Sequence, residues 1–179
     1  PGTIAAATAS AVDPAACGGT ENDDVWFSFV ATATTHRIQL NNVVGSTTDL
    51  YHSLWTGADC GSLTLVPGTC SDPNTSNPTG LTIGQTYYLR VYSWANATHN
   101  TTFNVCIGTP PPPPANDTCA TAIPVDCTDV VTGSTANGAT NTGGNTAADV
   151  WYSYSGAAGD ITLSLCANTN FDSFLRVYD

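Results

Sequence analysis

The chain has 179 residues, of which 41% are hydrophobic and only 9% are charged. This composition supplies enough apolar side chains for a core, and the uncharged remainder, rich in Thr, Ser and Asn, favours strands and turns over helices. The net charge is −11, and the 3 Lys and Arg residues are all arginine. Nucleic acid and anionic membranes are therefore poor partners, because binding to either needs clustered cations. No apolar run is long enough for membrane insertion.

The predicted elements all have period two. Apolar and polar side chains alternate along Val25–Val30, then around residues 36–40, and again along residues 86–94, as in half-buried strands. No window has convincing helical spacing, and 16 Gly and 11 Pro interrupt the candidate helices. Short strands separated by Gly, Pro and Asn turns predict an all-β fold, an antiparallel β-sandwich or jelly roll.

The chain repeats itself. Asp24-Val-Trp-Phe-Ser-Phe29 returns as Asp149-Val-Trp-Tyr-Ser-Tyr154. In both copies another strand-like segment follows at a similar distance, at residues 49–55 and at residues 172–178. A period of this length indicates tandem domains, because the repeat of a solenoid is only about 20 to 50 residues long.

The repeat predicts the domain organisation. We expect residues 1–108 to form one β-sandwich module, residues 109–115 a linker, and residues 116–179 the first part of a second, homologous module. The first module is expected to lack its opening segment and the second its closing strands. The linker contains five consecutive prolines, which favour a stiff polyproline II spacer; a linker of no particular geometry is the alternative.

The cysteines indicate an oxidising compartment. There are seven of them in a chain without Lys or Met, so we expect disulfides and an extracellular or cell-surface location. The loop between Cys60 and Cys70 looks like two antiparallel segments, which predicts that these two residues are paired. Cys106, Cys119 and Cys127 surround the linker and are candidates to pair among themselves, although spacing does not give their connectivity. The spacing does not match a zinc site.

Three segments carry a resemblance to a known family. They are residues 114–124, which follow the proline run, the second Asp-Val-Trp motif, and residues 171–179. With their counterparts in the first copy, they resemble the tandem modules of large secreted and surface proteins of Bacteroidetes-type bacteria. Those modules are similar to the bacterial pre-peptidase C-terminal domain, a small β-sandwich. The resemblance implies accessory work such as spacing, anchoring or binding, without catalytic residues.

The residues themselves also indicate that the chain is not an enzyme. No Gly-x-Ser-x-Gly or His-Glu-x-x-His motif is present. Glu21 is the only glutamate, which makes a paired-carboxylate glycosidase hard to build, although aspartates remain available. We therefore assign no catalytic residue, and calcium is the only candidate cofactor.

The calcium candidate rests on an acidic cluster before the first strong strand. Glu21, Asp23 and Asp24 gather oxygen ligands at the strand entrance, and Asp49 is a fourth candidate from a nearby loop. Calcium takes about six to eight oxygens. The second copy keeps only Asp149 of this cluster, which favours the alternative of solvated carboxylates or of bonds to the backbone at the strand start.

Aromatic and asparagine side chains suggest contacts with glycans. Trp55 and Trp94 are candidates to stack on sugar rings if they are exposed, and packing in the core is the alternative. Four asparagines lie in sequons and are candidates for glycan attachment, namely Asn74, Asn96, Asn100 and Asn116.

Two functions follow from these observations. The first is a non-enzymatic extracellular structural or adhesive protein, a unit of a stalk or filament in which neighbouring copies complete each other's strands by self-association. The alternative is a carbohydrate-binding accessory module of a secreted hydrolase, for which the partners are glycans.

Overall fold

The computed structural model describes residues 1–12, 17–136, 138–142, 147–156, 159–165 and 171–179. The chain divides into two compact units, Pro1–Pro111 and Pro112–Asp179. The boundary falls within the proline run, where the fixed φ angle and the missing N–H of proline work against sheet pairing.

Among its described residues, the first unit contains eight strands in two antiparallel sheets. Their bounds are β1 Gly2–Thr3, β2 Val25–Val30, β3 Arg37–Val44, β4 Leu50–Thr56, β5 Thr64–Leu65, β6 Thr75–Ser76, β7 Thr86–Ser93 and β8 Thr102–Gly108. The first sheet has the order β1-β8-β3-β6, and the second has the order β2-β7-β4-β5. The two sheets pack together as a sandwich, so the predicted all-β fold is confirmed.

The core lies between the two sheets, because every second side chain of the central strands turns inward. Leu89 of β7 and Leu54 of β4 form one buried cluster with Ile38 of β3 in the other sheet. The rings of Phe27 and Phe103 meet edge to face, with centroids 6.0 Å apart, and join β2 to β8 across the core. Each fully buried side chain of this size contributes about 2 to 3 kcal/mol.

A buried polar contact also joins the sheets. His52 of β4 is completely buried, and its Nε2 lies 2.7 Å from Oγ of Ser76 in β6. Burial lowers the pKa of His52 to about 4, because the imidazolium would lose its hydration. This histidine therefore belongs to the folded core in its neutral form.

The predicted disulfide between Cys60 and Cys70 is wrong. Cys70 is bonded to Cys17, at a sequence separation of 53, whereas Cys60 is an exposed free thiol. The segment between Cys60 and Cys70 is not the expected hairpin, because its strand β5 pairs with β4 instead. Cys60 lies in a separate turn at residues 59–62, closed by a bond from the amide of Ser62 to the carbonyl of Asp59.

The cysteines around the linker do not pair among themselves. Cys106, Cys119 and Cys127 are all exposed free thiols in the described structure. Cys106 lies in β8, where exposed and less exposed side chains alternate, so its position on the solvent side follows from the pleat. Cys166 lies outside the described residues.

The second unit has two strands in its described part, β9 Ile123–Val125 and β10 Tyr152–Tyr154, which pair in parallel. A 3-10 turn at Cys119–Thr121 precedes β9 and is the only helical segment in the described ranges of the chain. β10 falls on the second copy of the repeated motif, so it is the counterpart of β2.

Loss of the Cys17–Cys70 disulfide should destabilise the first unit. A cross-link that closes a loop of this length stabilises a folded chain by about 4 kcal/mol, mainly by restricting the unfolded state. Cys70→Ser should therefore lower the midpoint of guanidinium unfolding strongly, whereas the matched change Cys60→Ser should leave it in place. Equal effects of the two substitutions would contradict the pairing.

Stability should decline in mild acid because of His52. Its pKa is about 4 in the folded chain against an ordinary 6.5, so the unfolded state takes up the proton first as the pH falls. The contribution of neutral His52 is fully present above pH 6.5 and is lost towards pH 4, by about 3 kcal/mol. Urea unfolding across this range should show the loss, and His52→Gln should flatten the profile. Identical profiles for the two chains would refute the assignment.

Candidate functional site: the outer face of the second sheet

The second sheet presents an aromatic surface on the side away from the core. Alternation along β2, β4 and β7 turns one set of side chains inward and the other set outward. Ser28 and Val30 of β2 belong to the outward set and are exposed. The other outward residues, called the outer face below, are Trp26, Tyr51, Ser53, Trp55, Tyr88, Arg90 and Tyr92, with Trp94 directly after β7. The strand register places Arg90 between Trp26 and Ser53, in the middle of this surface.

Arg90 is completely buried at the centre of the outer face. Its Nη1 lies 3.0 Å from Oε2 of Glu21, and its Nε donates to Oδ2 of Asp24 at 2.8 Å. The guanidinium carbon lies 5.4 Å from the ring centroid of Trp26 and 5.6 Å from that of Tyr92. Two carboxylates and the surrounding aromatic rings together compensate the cation for its lost hydration.

The repeated Asp-Val-Trp motif has a defined structural role. The indole N–H of Trp26 donates to the carboxylate of Asp24 at 2.9 Å, and Trp151 makes the same contact with Asp149 at 3.2 Å. Asp24 also accepts the backbone amide of Ser10 at 2.7 Å, so the expected bond to the backbone is present there. The two copies thus repeat a hydrogen-bonded unit as well as a sequence.

The acidic segment before β2 is attached to the sheet by buried side chains. Burial raises the pKa of Glu21, and this effect exceeds the opposing influence of the Arg90 charge. Asp23 accepts the amide and the hydroxyl of Ser93 at 2.9 and 2.6 Å. Burial also raises the pKa of Tyr92, whose hydroxyl donates to a backbone carbonyl of the same segment at 2.6 Å.

Three of the four residues predicted to bind calcium make other contacts in the structure, and the calcium site stays a prediction. Glu21 and Asp24 face the guanidinium of Arg90. Asp23 is bonded to β7, and Asp49 is exposed. The part of the chain that the structure describes has no group of three or more His, Cys, Asp or Glu side chains that could hold a metal ion. Because a fixed positive charge already stands between two of the carboxylates, the geometry favours an ion pair over a calcium site.

Trp94 is exposed and packs against the half-buried Tyr51, and these two rings are called the aromatic platform below. Their ring centroids are 5.4 Å apart, and the ring planes are tilted by 40°. Trp94 is 44% exposed. The backbone of Gly18 supports the indole so closely that a Cβ there would lie 2.6 Å from the Trp94 ring, so a side chain at this position would displace the indole.

Trp55 does not belong to this platform. It is 1% exposed, and its indole N–H donates to Oγ of Ser53 at 2.9 Å. Its ring meets Trp26 edge to face and also lies beside the Arg90 guanidinium. The expectation that Trp55 stacks on sugars is therefore wrong, because these neighbours enclose the ring.

The four sequons differ in accessibility. Asn116 is buried, and its amide donates to the carbonyl of Trp151 at 2.9 Å, so glycan attachment there would break a structural contact. Asn96 and Asn100 are exposed, and Asn74 is half-buried. Glycosylation of these three residues stays a prediction.

Comparison with known proteins identifies the family. Residues 2–105 match the model of a T9SS-associated family described as galactose binding domain-like. Since the match covers more than half of the chain, the chain belongs to this family. No curated protein and no solved structure matches it. The expected relation to Bacteroidetes surface proteins is thereby supported, whereas the similarity to the pre-peptidase C-terminal domain is not.

The family sets the general class of function. Its association with T9SS indicates a secreted or cell-surface protein. Modules of this kind are typically non-catalytic, and the family points to a carbohydrate-binding or surface role. No helix within the described residues is long and apolar enough to cross a membrane.

Sequence reasoning missed Arg90, which organises this site. The pattern Tyr88-x-Arg90-x-Tyr92 was a usable signal, because period two places the three side chains on one face of the strand. An arginine enclosed by aromatic residues requires anionic partners, and the acidic cluster at Glu21 could supply the carboxylates. The sequence alone does not show that this cluster folds across β7.

The substitution Arg90→Met should destabilise the first unit severely. It leaves the buried carboxylates of Glu21 and Asp24 without their cation, and removing one partner of a buried ion pair costs about 3 to 5 kcal/mol. Arg37→Met is the matched control, because Arg37 forms no ion pair with a described residue, and its loss should cost about 0.5 kcal/mol or less. Guanidinium unfolding measures both changes, and similar losses would contradict the role of Arg90.

Proposed function

We propose that the first unit is a glycan-binding module of a secreted or cell-surface protein and that the aromatic platform is its contact surface. The observation that carries this proposal is the exposure of Trp94, 44%, beside rings that are buried or half-buried. Tyrosine and tryptophan are enriched where an apolar ring must contact a partner while its polar atom stays hydrated.

A sugar ring suits the chemistry of this surface. Its C–H groups form an apolar face that packs on an aromatic ring, and its hydroxyls need hydrogen-bond partners placed around that ring. The side-chain amide of Asn22 donates to Oδ1 of Asn96 at 3.2 Å. Both residues are near Trp94, because Asn96 follows it in the chain by two residues and the segment of Asn22 bonds its backbone. Asp49 is exposed and lies two residues before Tyr51 in sequence. The net charge of −11 favours a neutral glycan, because it would repel an acidic one.

The platform is held in place by the buried part of the outer face. Tyr51 contacts Tyr92 at 5.5 Å between centroids as well as Trp94. The backbone of Trp94 receives a hydrogen bond from the amide of Thr20 and donates one to the carbonyl of Asp49. Such preorganisation lowers the entropy that a ligand must remove on binding.

We propose no catalytic role for this surface. Glycoside cleavage uses two carboxyl groups about 5 to 10 Å apart on either side of the scissile bond. Glu21 and Asp24 are instead buried against Arg90. The platform then serves to hold a glycan near other parts of a surface protein.

The substitution Trp94→Ala should remove most of the glycan binding. Loss of the stacking ring should weaken the affinity at least about tenfold, and Trp94→Phe should retain part of it. The matched control is Ile83→Ala, because Ile83 is 63% exposed in the same unit but away from the outer face. Polysaccharide pull-down and a glycan array identify the ligand, and calorimetry measures its affinity. A native chain that binds no glycan, or equal losses in Trp94→Ala and Ile83→Ala, would refute the proposal.

A second proposal, assembly of neighbouring copies into a stalk or filament, concerns another surface. Among the described residues, no strand pairs with the outer side of β2 along its 6 residues, and a strand edge of this length is a template for strand addition. Negative-stain microscopy and sedimentation velocity should show fibres or concentration-dependent oligomers. Monodisperse monomers at all concentrations would count against assembly.

A further inference from the structure

Asp49 stands opposite Trp94 at one end of the second sheet. The last register pair of β4 and β7 at this end is Leu50 with Ser93, and beyond it the amide of Trp94 donates to the carbonyl of Asp49 at 3.2 Å. The two chains therefore stay in register for one more residue. Because side chains alternate along a strand, Asp49 is on the same side of the sheet as Tyr51 and Trp94. The aromatic platform thus has a carboxylate at its border.

The carboxylate of Asp49 is not used within the protein. The backbone amide of this residue donates to the hydroxyl of Thr47 at 3.1 Å, but its side chain makes no hydrogen bond or ion pair with a described residue. Arg90, the cation of the outer face, is paired with Glu21 and Asp24 instead. Asp49 is exposed, so both of its carboxylate oxygens remain available as hydrogen-bond acceptors.

Two further polar groups border the platform and complement this acceptor. The ring of Tyr51 packs against Trp94, whereas its hydroxyl makes no hydrogen bond with a described residue. Asn96 is exposed, and its Oδ1 accepts from Asn22, which leaves the amide hydrogens of Asn96 for a ligand. The surroundings of the indole therefore combine an ionised acceptor with neutral donors.

Two adjacent hydroxyls of a sugar suit this carboxylate. An ionised carboxylate only accepts hydrogen bonds, and its two oxygens can take two donors at once. Hydrogen bonds to an ionised group are also stronger than those between neutral groups. Hydroxyls on neighbouring ring carbons, a vicinal diol, present two O–H donors side by side at the rim of a sugar whose C–H face lies on an aromatic ring.

We propose that Asp49 selects the glycan, because its carboxylate accepts both hydroxyls of a vicinal diol on the sugar that stacks on Trp94. The proposal rests on the glycan-binding function proposed above and adds the ligand class, a neutral glycan with a free vicinal diol. A ligand without one of these hydroxyls leaves a carboxylate oxygen unpaired, and a site built to bind a hydroxyl rejects such a ligand strongly.

The linkage between sugars decides which chains carry this diol. Within a 1,4-linked hexose chain, the hydroxyls on C2 and C3 are free and adjacent. Within a 1,3-linked chain, the oxygen on C3 belongs to the linkage, so the free hydroxyls on C2 and C4 are no longer neighbours. The native chain should therefore prefer a 1,4-linked chain over a 1,3-linked chain of the same sugar.

Calorimetry on the full chain tests the proposal with soluble 1,4-linked and 1,3-linked oligosaccharides of glucose and of galactose. The native chain should bind a 1,4-linked oligosaccharide about tenfold more tightly than its 1,3-linked counterpart. Asp49→Asn should remove most of this preference, because an amide has one acceptor oxygen and no charge. The matched control is Asp59→Asn, at an exposed aspartate beyond the other end of β4, which should bind as the native chain does.

Folding does not limit this test, because the side chain of Asp49 has no bond to lose, and equal thermal midpoints of the two variants verify it. No binding of any of the four oligosaccharides, equal binding of the two linkages by the native chain, or equal affinities of Asp49→Asn and Asp59→Asn would overturn the proposal. Loss of binding in EDTA would assign the Asp49 carboxylate to a metal ion and would also overturn it.

Amino sugars provide the last comparison, because a carboxylate beside an indole also suits an ammonium group. Tighter binding of 1,4-linked glucosamine oligosaccharides than of the glucose series, with a steep loss in salt, would overturn the selection of a diol. The proposed glycan-binding function fails separately. It stands if a glycan array shows binding that Asp49→Asn leaves unchanged, and it falls if the native chain binds no glycan.

Discussion

The buried ion pair of Arg90 with Glu21 and Asp24 is the interaction on which the functional face depends. A guanidinium inside a protein needs anions, and here they come from a segment outside the sheet rather than from neighbouring strands. Forming the pair therefore folds that segment across the second sheet. The segment in turn brings Gly18 against the ring of Trp94. The buried charge of Arg90 thus sets the position of the exposed side chain of Trp94.

The Asp-Val-Trp motif links this buried centre to the edge of the sheet. In each copy the aspartate fixes the indole of the tryptophan two residues later. The ring of Trp26 packs beside Arg90, while its backbone lies in the outermost strand. One short motif therefore orients both an aromatic face and the strand at the edge of the described sheet.

The sequence was informative wherever one physical pattern dominated. Period-two alternation predicted β2, the strand around residues 36–40 and β7. A pleated strand with one buried face must alternate apolar and polar side chains, because successive side chains point to opposite faces. It failed where the answer depended on chain segments that meet only in the fold. Cys70 has a nearby candidate partner in sequence, but β5 pairs with β4 and leaves Cys17 as the residue within reach. Trp55 and Trp94 look alike in sequence, and only the covering of the outer face makes one buried and the other exposed.

The role of Trp94 as the glycan contact is tested most directly by NMR. A glycan identified by pull-down or array is titrated into the native chain while the indole N–H signals of Trp26, Trp55 and Trp94 are followed. The Trp94 signal should shift with saturation. The signals of Trp26 and Trp55 should stay in place, because their indole N–H groups are already bonded to Asp24 and Ser53. A shift of these two signals without one at Trp94 would contradict the claim that Arg90 and its buried ion pairs support an exposed aromatic binding surface.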